Sequence, residues 1–193
     1  MNYKIETIAE HSLIPSLLPE KGFIIDAGCR NFQFRDAMKA MGHKVYAIDC
    51  DLLDDPCEEY YRFALSNKNG FANISRTNDP QATSITTVDT GEVIECMTLE
   101  AFSQIRGPLH GRWDLIKLDI EGSEYEVIMA MEKAITRQLS VEFHMHTGVY
   151  DMKELEEMEN HLHDLGYEFI QHKLSAQHGL GENYWDSLFL YNP

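Results

Sequence analysis

A doubly wound α/β sheet is the fold this sequence predicts, and three observations predict it. The run Asp114–Ile120 is mostly apolar with one lysine inside it and ends in two carboxylates, Asp119 and Glu121, beside Gly122; a helical pattern follows at once. Two earlier runs, Phe23–Asp26 and Lys44–Asp49, also end in an acid. Strands buried on both faces read as near-continuous apolar runs, and parallel strands are joined by helical crossovers. In such open sheets ligands bind beyond the carboxyl ends of the strands, which is where these acids fall.

In chain order, Phe23–Asp26 supplies a first strand that turns at Ala27-Gly28. Phe34, Ala37, Met38 and Met41 then recur at helical spacing, and Gly42 is placed to end that helix. Lys44–Asp49 reads as the second strand and Tyr60–Leu65 as the third. Ser66–Thr90, rich in Asn, Gly, Ser and Thr, reads as an irregular excursion with room for a hairpin, and Val93–Met97 as an edge strand. Thr98 suits the N-cap of a short helix. After Asp114–Ile120 the pattern predicts a helix near Ser123–Gln138 with Tyr125, Ile128, Met131 and Ile135 inward, then a strand at Leu139–His146. Met152, Leu155, Met158, Leu162 and Leu165 make one stripe of an amphipathic helix over Asp151–Leu165. Glu168–Leu174 and Trp185–Tyr191 close the sheet as an antiparallel hairpin, giving, apart from the edge strand Val93–Met97, seven strands in a single domain, 1–193.

Composition narrows the function. A chain of 193 residues with 44% apolar content buries an ordinary core. The formal charge of −16 argues against nucleic acid and anionic membranes, because both are bound through Lys and Arg. Cys29, Cys50, Cys57 and Cys96 show no CxxC pairing, so neither a zinc site nor a disulfide frame is indicated. Met1–Glu6 lacks a signal-peptide pattern and no apolar run approaches the ~18 residues of a membrane span, so the expected location is the cytoplasm.

The first turn, Ile25-Asp26-Ala27-Gly28-Cys29-Arg30-Asn31-Phe32, has a glycine directly after a strand, where the backbone can approach a ligand. It is neither a GxGxxG fingerprint nor a P-loop. Asp49 follows Gly28 by roughly 20 residues, the spacing of an acid that accepts hydrogen bonds from ribose hydroxyls. Two readings stand: a nucleoside-containing ligand, or aspartates that merely cap helices.

Asp26-Ala27-Gly28, the strand Val45–Asp49, Ala64-Leu65-Ser66 before Gly70, Met97-Thr98-Leu99-Glu100 and above all Asp114–Glu124 resemble the FkbM-type methyltransferases, class I enzymes that use S-adenosylmethionine (SAM). The likeness runs from about Phe23 to His146. It implies a Rossmann-like sheet in the order 3-2-1-4-5-7-6, its last strand antiparallel, and methyl transfer to a hydroxyl of a small molecule, sugar or glycan. Asp26 and Gly28 would lie against the methionine part of SAM, Asp49 would hold the ribose, and Ser66 or Asn67 would lie near the adenine. Arg30 and Phe32 depart from the family, which has Asn and Gly there; Arg30 would meet the SAM carboxylate, and the Phe32 ring would narrow the pocket.

Methylating a hydroxyl requires a proton acceptor. Glu142, His144 and His146 share one face of the strand next to Asp119 and Glu121. His144 is the first choice for general base, with Asp119 orienting it and Glu121 beside them. Alternatively, Asp119, Glu121, Glu142 and His144 could hold a divalent metal. A buried Lys117 needs a partner, and Glu142 is the expected one. Trp113 and Trp185 read as packing. The rival functions are an NAD-dependent oxidoreductase, disfavoured by the missing GxGxxG, and a non-catalytic binding protein with a degenerate cofactor site, recommended by Arg30 and Phe32. Acceptor specificity would reside in Met1–Glu20, Lys68–Thr90 and His172–Asn183, while oligomeric state is not encoded in any motif.

Overall fold

The computed structural model describes residues 3–51, 53, 58–76, 83–86, 91–109, 111–144, 151–174 and 184–192. It opens with an antiparallel hairpin that sequence patterning does not announce, β1 (Glu6–Ile8) and β2 (His11–Leu13), turned by Ala9 and Glu10 with positive φ of 42° and 75°. Then come β3 (Phe23–Ala27), α1 (Gln33–Ala40), β4 (Lys44–Asp49) and β5 (Tyr60–Arg62). Next are β6 (Ala64–Leu65), β7 (Gly70–Arg76), β8 (Thr83–Thr86), β9 (Val93–Met97) and α2 (Leu99–Arg106). The chain ends with β10 (Trp113–Leu118), α3 (Glu124–Met129), β11 (Thr136–His144), α4 (Met152–Asp164), β12 (Tyr167–Leu174) and β13 (Tyr184–Tyr191).

Seven of these strands form one sheet in the order β12-β13-β11-β10-β3-β4-β5. The five from β11 to β5 are parallel, and β13 is antiparallel to both of its neighbours. Both faces are buried, which is why β3 and β10 read as apolar runs. Ile25, Ile116, Leu118 and Val141 enter the large core under α2, α3 and α4, while Ile24, Val45 and Leu115 pack with Leu13 of β2 and with Phe34 and Met38 of α1. Each such fully buried aliphatic contributes roughly 2 kcal/mol. The face covered by α1 and the hairpin is also the face of Asp26 and Lys117, opposite one another in the β3–β10 register.

Four expectations are corrected. Tyr60–Leu65 is not one strand: after Arg62 the chain leaves the main sheet, and Ala64–Leu65 pairs with β9. The supposed irregular excursion carries strands of a second sheet, β6-β9-β7-β8, in which Val93–Met97 is interior rather than an edge. The helix predicted over Ser123–Gln138 stops at Met129; Met131 and Ile135 are buried all the same, because the loop leading into β11 faces the same core. Met41 lies 44% exposed, outside the stripe it was expected to join. His146 and Cys57 lie outside the described residues.

Local signals explain several helix starts. Thr98 accepts a hydrogen bond from Ala101 N at 3.1 Å, and Asp151 and Glu154 form a reciprocal capping box on α4. Trp113 is a packing residue, 1% exposed, its indole donating to Ser103 Oγ at 2.8 Å.

Candidate active site

The parallel strands end at a cavity of about 360 Å³. Its floor comes from the exits of β3, β4, β10 and β11, and its walls from the β1–β2 tip and from Thr83 and Ile85 of the small sheet.

Gly28 sits at the exit of β3, against the backbone that leaves β10. Its φ is +76°, and a Cβ there would lie 1.6 Å from the Asp119 carbonyl oxygen. The neighbouring strand exit therefore requires the glycine, which also lines the cavity. Lys117, 3% exposed, donates to the Gly28 carbonyl at 2.8 Å and lies 3.1 Å from both Asp26 Oδ1 and Asp119 Oδ2. Its partners are thus Asp26 and Asp119 and not Glu142: register places Asp26 opposite Lys117 on one side and Ser140 on the other, two residues short of Glu142. Burial alone would lower the Lys117 pKa, but Asp119 and Asp26 outweigh it and hold the amine charged. The Asp119 carboxyl, which burial would raise, is held well below its usual range by Lys117, His11 and His144.

The Asp119–Glu124 motif folds on itself. The wholly buried Glu124 carboxylate accepts from Ile120 N at 3.0 Å and from Gly122 N at 3.0 Å, and meets His144 Nδ1 at 2.9 Å. This grip holds Glu121 in a left-handed conformation (φ 55°) in the cavity wall. His144 Nε2 faces Asp119 Oδ1 at 3.4 Å and Glu121 Oε2 at 3.8 Å. Burial pulls the His144 pKa down, but Glu124, Asp119 and Glu121 together push it up to about 10. His144 is consequently an imidazolium at neutral pH, the wrong form for the general base expected of it. Glu121 moves the other way. Burial first, then the charges of Asp119, Glu124 and Glu142, outweigh His144 and raise its carboxyl to about 7. Burial and Asp119 likewise raise Glu142.

His11 is the residue that sequence reasoning missed. It is 3% exposed, its Nε2 lies 3.5 Å from Asp119 Oδ2, and its Nδ1 has no hydrogen-bond partner. The only hint in the sequence is the short apolar run that follows it. His11, Asp119 and Glu142 form one set of donor atoms within 4.8 Å, and Asp119, Glu121 and His144 form another. Asp119, common to both, is already compensated by Lys117 and the His144 imidazolium. A divalent cation there would meet two built-in positive charges.

At the other end of the cavity, Asp49 is buried at the exit of β4, and its Oδ1 accepts from Asp51 N at 2.9 Å. Burial raises its pKa, opposed by that hydrogen bond. Arg30 lines the cavity with its Nη1 3.5 Å from Asp51 Oδ2; Asp51 is also bound by Arg76 and, at 2.9 Å, by Thr83 Oγ1. Phe32 does not narrow the cavity. Its ring packs with Cys29 and Ala47, meets Tyr60 edge-on and lies under the Arg35 guanidinium at 3.6 Å. Its φ of 57° is the conformation that makes glycine the usual residue there. Of the expected cofactor residues, Asp26, Gly28, Arg30 and Asp49 line the cavity. Ser66 and Asn67 do not: Ser66 N turns to the Met97 carbonyl, and Phe63, Ala64 and Leu65 line the wall instead.

The match to a methyltransferase family model over most of the chain makes it a SAM-dependent methyltransferase. Within that class the chain belongs to the methyltransferase FkbM domain family, whose model matches residues 18–169. Solved structures similar to it include a TehB-like SAM-dependent methyltransferase from Corynebacterium glutamicum (12% identity, 92% of this chain and 84% of that one, TM-score 0.44). The fibrillarin pre-rRNA processing protein of Methanococcus jannaschii has 10% identity over 98% and 83% of the chains, TM-score 0.49. The antibiotic-resistance methyltransferase Kmr has 13% identity over 98% and 100%, TM-score 0.44. No curated protein sequence matches the chain.

Proposed function

We propose that the cavity binds SAM and that the chain methylates a hydroxyl oxygen of a small molecule, sugar or glycan, with Glu121 as the proton acceptor. The observation that carries this is one cavity with Asp49 at one end and, at the other, a strained Glu121 whose carboxyl titrates near neutrality.

The residues fit the cofactor. Apolar Phe63, Leu65 and Ile85 offer a wall for an adenine, and the neighbouring Asp49 carboxylate suits a ribose diol. Arg30, loosely paired and partly exposed, can turn its guanidinium fork to a carboxylate. When bound, SAM supplies a methyl group already activated by its sulfonium. The remaining work belongs to the chain. Asp26 and Lys117 fix the β3 and β10 exits against each other, and the Glu124–His144 pair fixes the turn that carries Glu121. Glu121 accepts the hydroxyl proton, and the imidazolium stays charged beside it to receive the negative charge that develops on the acceptor oxygen.

Glu121→Gln tests the assignment. With any hydroxyl compound that supports S-adenosylhomocysteine (SAH) release, wild-type turnover should rise with pH through about 7. The variant should lose about 10²–10⁴-fold of it and show no such rise. SAM affinity should stay within about twofold. Near-normal turnover in the variant would refute the role of Glu121.

A further inference from the structure

We infer that Arg76 is a positioning residue for the cofactor: from outside the cavity it ties the second sheet to the β4 exit through Asp51, and so holds the wall against which the nucleoside lies. The inference rests on the reading that the cavity binds SAM with its nucleoside at the Asp49 end.

Two sheets share that end of the cavity. Asp49, Cys50 and Asp51 line it from the exit of β4, and Leu65, Thr83 and Ile85 line it from the second sheet. β8, which carries Thr83 and Ile85, is the edge strand of its sheet, four half-buried residues paired with β7 alone among the described strands. A short edge strand with little buried apolar surface opens easily unless something ties it down.

Three successive residues supply the tie. Asp49 Oδ1 accepts from Asp51 N at 2.9 Å, so the ribose acid and the tie share one turn. Cys50 packs against the second sheet's core of Ala64, Ile74, Ile94 and Cys96. The buried Asp51 carboxylate accepts from Thr83 Oγ1 at 2.9 Å with Oδ2 and from Arg76 Nη1 with Oδ1. Arg76 and Thr83 stand opposite one another in the β7–β8 register, so one carboxylate grips both strands. Arg76 is aimed in turn by Glu92, which accepts from Nε at 3.0 Å and from Nη2 at 2.8 Å and leaves Nη1 for Asp51. Arg76 itself does not line the cavity.

A buried carboxylate that loses its cation is costly. Without Arg76, Asp51 keeps Thr83 and turns to Arg30, 3.5 Å away. β7 is then released from the β4 exit, and β8 is left with the Thr83 hydroxyl as its one side-chain bond to Asp51. Removing a guanidinium that never meets the ligand therefore weakens the nucleoside site.

Calorimetry on the full chain with two probes tests this: SAH, and 5′-methylthioadenosine, which keeps the nucleoside and thioether but has no amino-acid carboxylate. Arg76 is half exposed, so Arg76→Gln should remain folded, which circular dichroism checks. In this variant both affinities should fall by about tenfold or more, and by the same factor within about twofold. Arg76→Lys, which keeps a cation for Asp51, should restore both to within about threefold of wild type. Unchanged affinities in Arg76→Gln would overturn the inference. A loss confined to SAH would also overturn it, since Asp51 would then have drawn Arg30 off the carboxylate while the wall stayed in place. Equal losses in the Gln and Lys variants would make Arg76 merely structural, with the same consequence. Folded wild type that binds neither probe would refute the cofactor reading and this inference with it.

Discussion

Raising the pH should destabilise this protein through His144. An imidazole titrates near 6.5 in an unfolded chain, and in the fold this one titrates near 10. A group whose pKa is raised by folding stabilises fully below its unfolded pKa, and that stabilisation is lost as the pH climbs through the folded value. At about 1.4 kcal/mol per pH unit, His144 contributes about 3 kcal/mol at pH 7.5 and almost nothing at pH 10.5. Glu121, raised to about 7, gives up its own contribution between its unfolded value of 4.5 and 7, outside this window. Urea unfolding at fixed ionic strength, from pH 7.5 to 10.5, measures the loss. With a slope near 2 kcal/mol per molar, the wild-type midpoint should fall by roughly 1.5 M more than that of His144→Gln. Parallel curves would mean that His144 is neutral in the fold, restoring it as a candidate base and removing the reason for choosing Glu121.

Two other substitutions probe the first turn. Gly28→Ala places a methyl against the Asp119 carbonyl at positive φ, so urea unfolding should show a loss of about 3–5 kcal/mol, and near-native stability would contradict the described contact. Phe32→Gly relieves the left-handed strain but removes a buried ring under Arg35; unfolding should register a net loss of about 2 kcal/mol with SAH affinity unchanged, and a gain in affinity would mean that the ring does intrude on the pocket.

The sheet was legible where burial dictates composition. β10 and β4 are buried on both faces, so their runs stand out, and Thr98 and Asp151 mark helix starts through side-chain chemistry that any sequence displays. The hairpin was not legible, since its strands are three residues long and its turn uses Ala9-Glu10 in place of the glycine or asparagine that usually marks such turns. The small sheet was hidden in a polar stretch whose strands are mostly half-exposed. In the site, alternation correctly placed Lys117 and Asp119 on one face, but only the strand register chooses Asp26 over Glu142. Glu124 lay in plain view within the motif. Its role depends on a turn that closes on its own carboxylate, and period-two reasoning stops where the strand does. The raised pKa of His144 follows from that same turn, which no sequence period reveals.

The proposed function stands on one cavity holding SAM with Asp49 on its ribose. Calorimetry with SAH, on wild type and on Asp49→Ala, tests it most directly. Wild type should bind SAH in the micromolar range, and a variant that remains folded should lose at least thirtyfold of that affinity. No binding by folded wild-type protein, or equal binding by both, would contradict it.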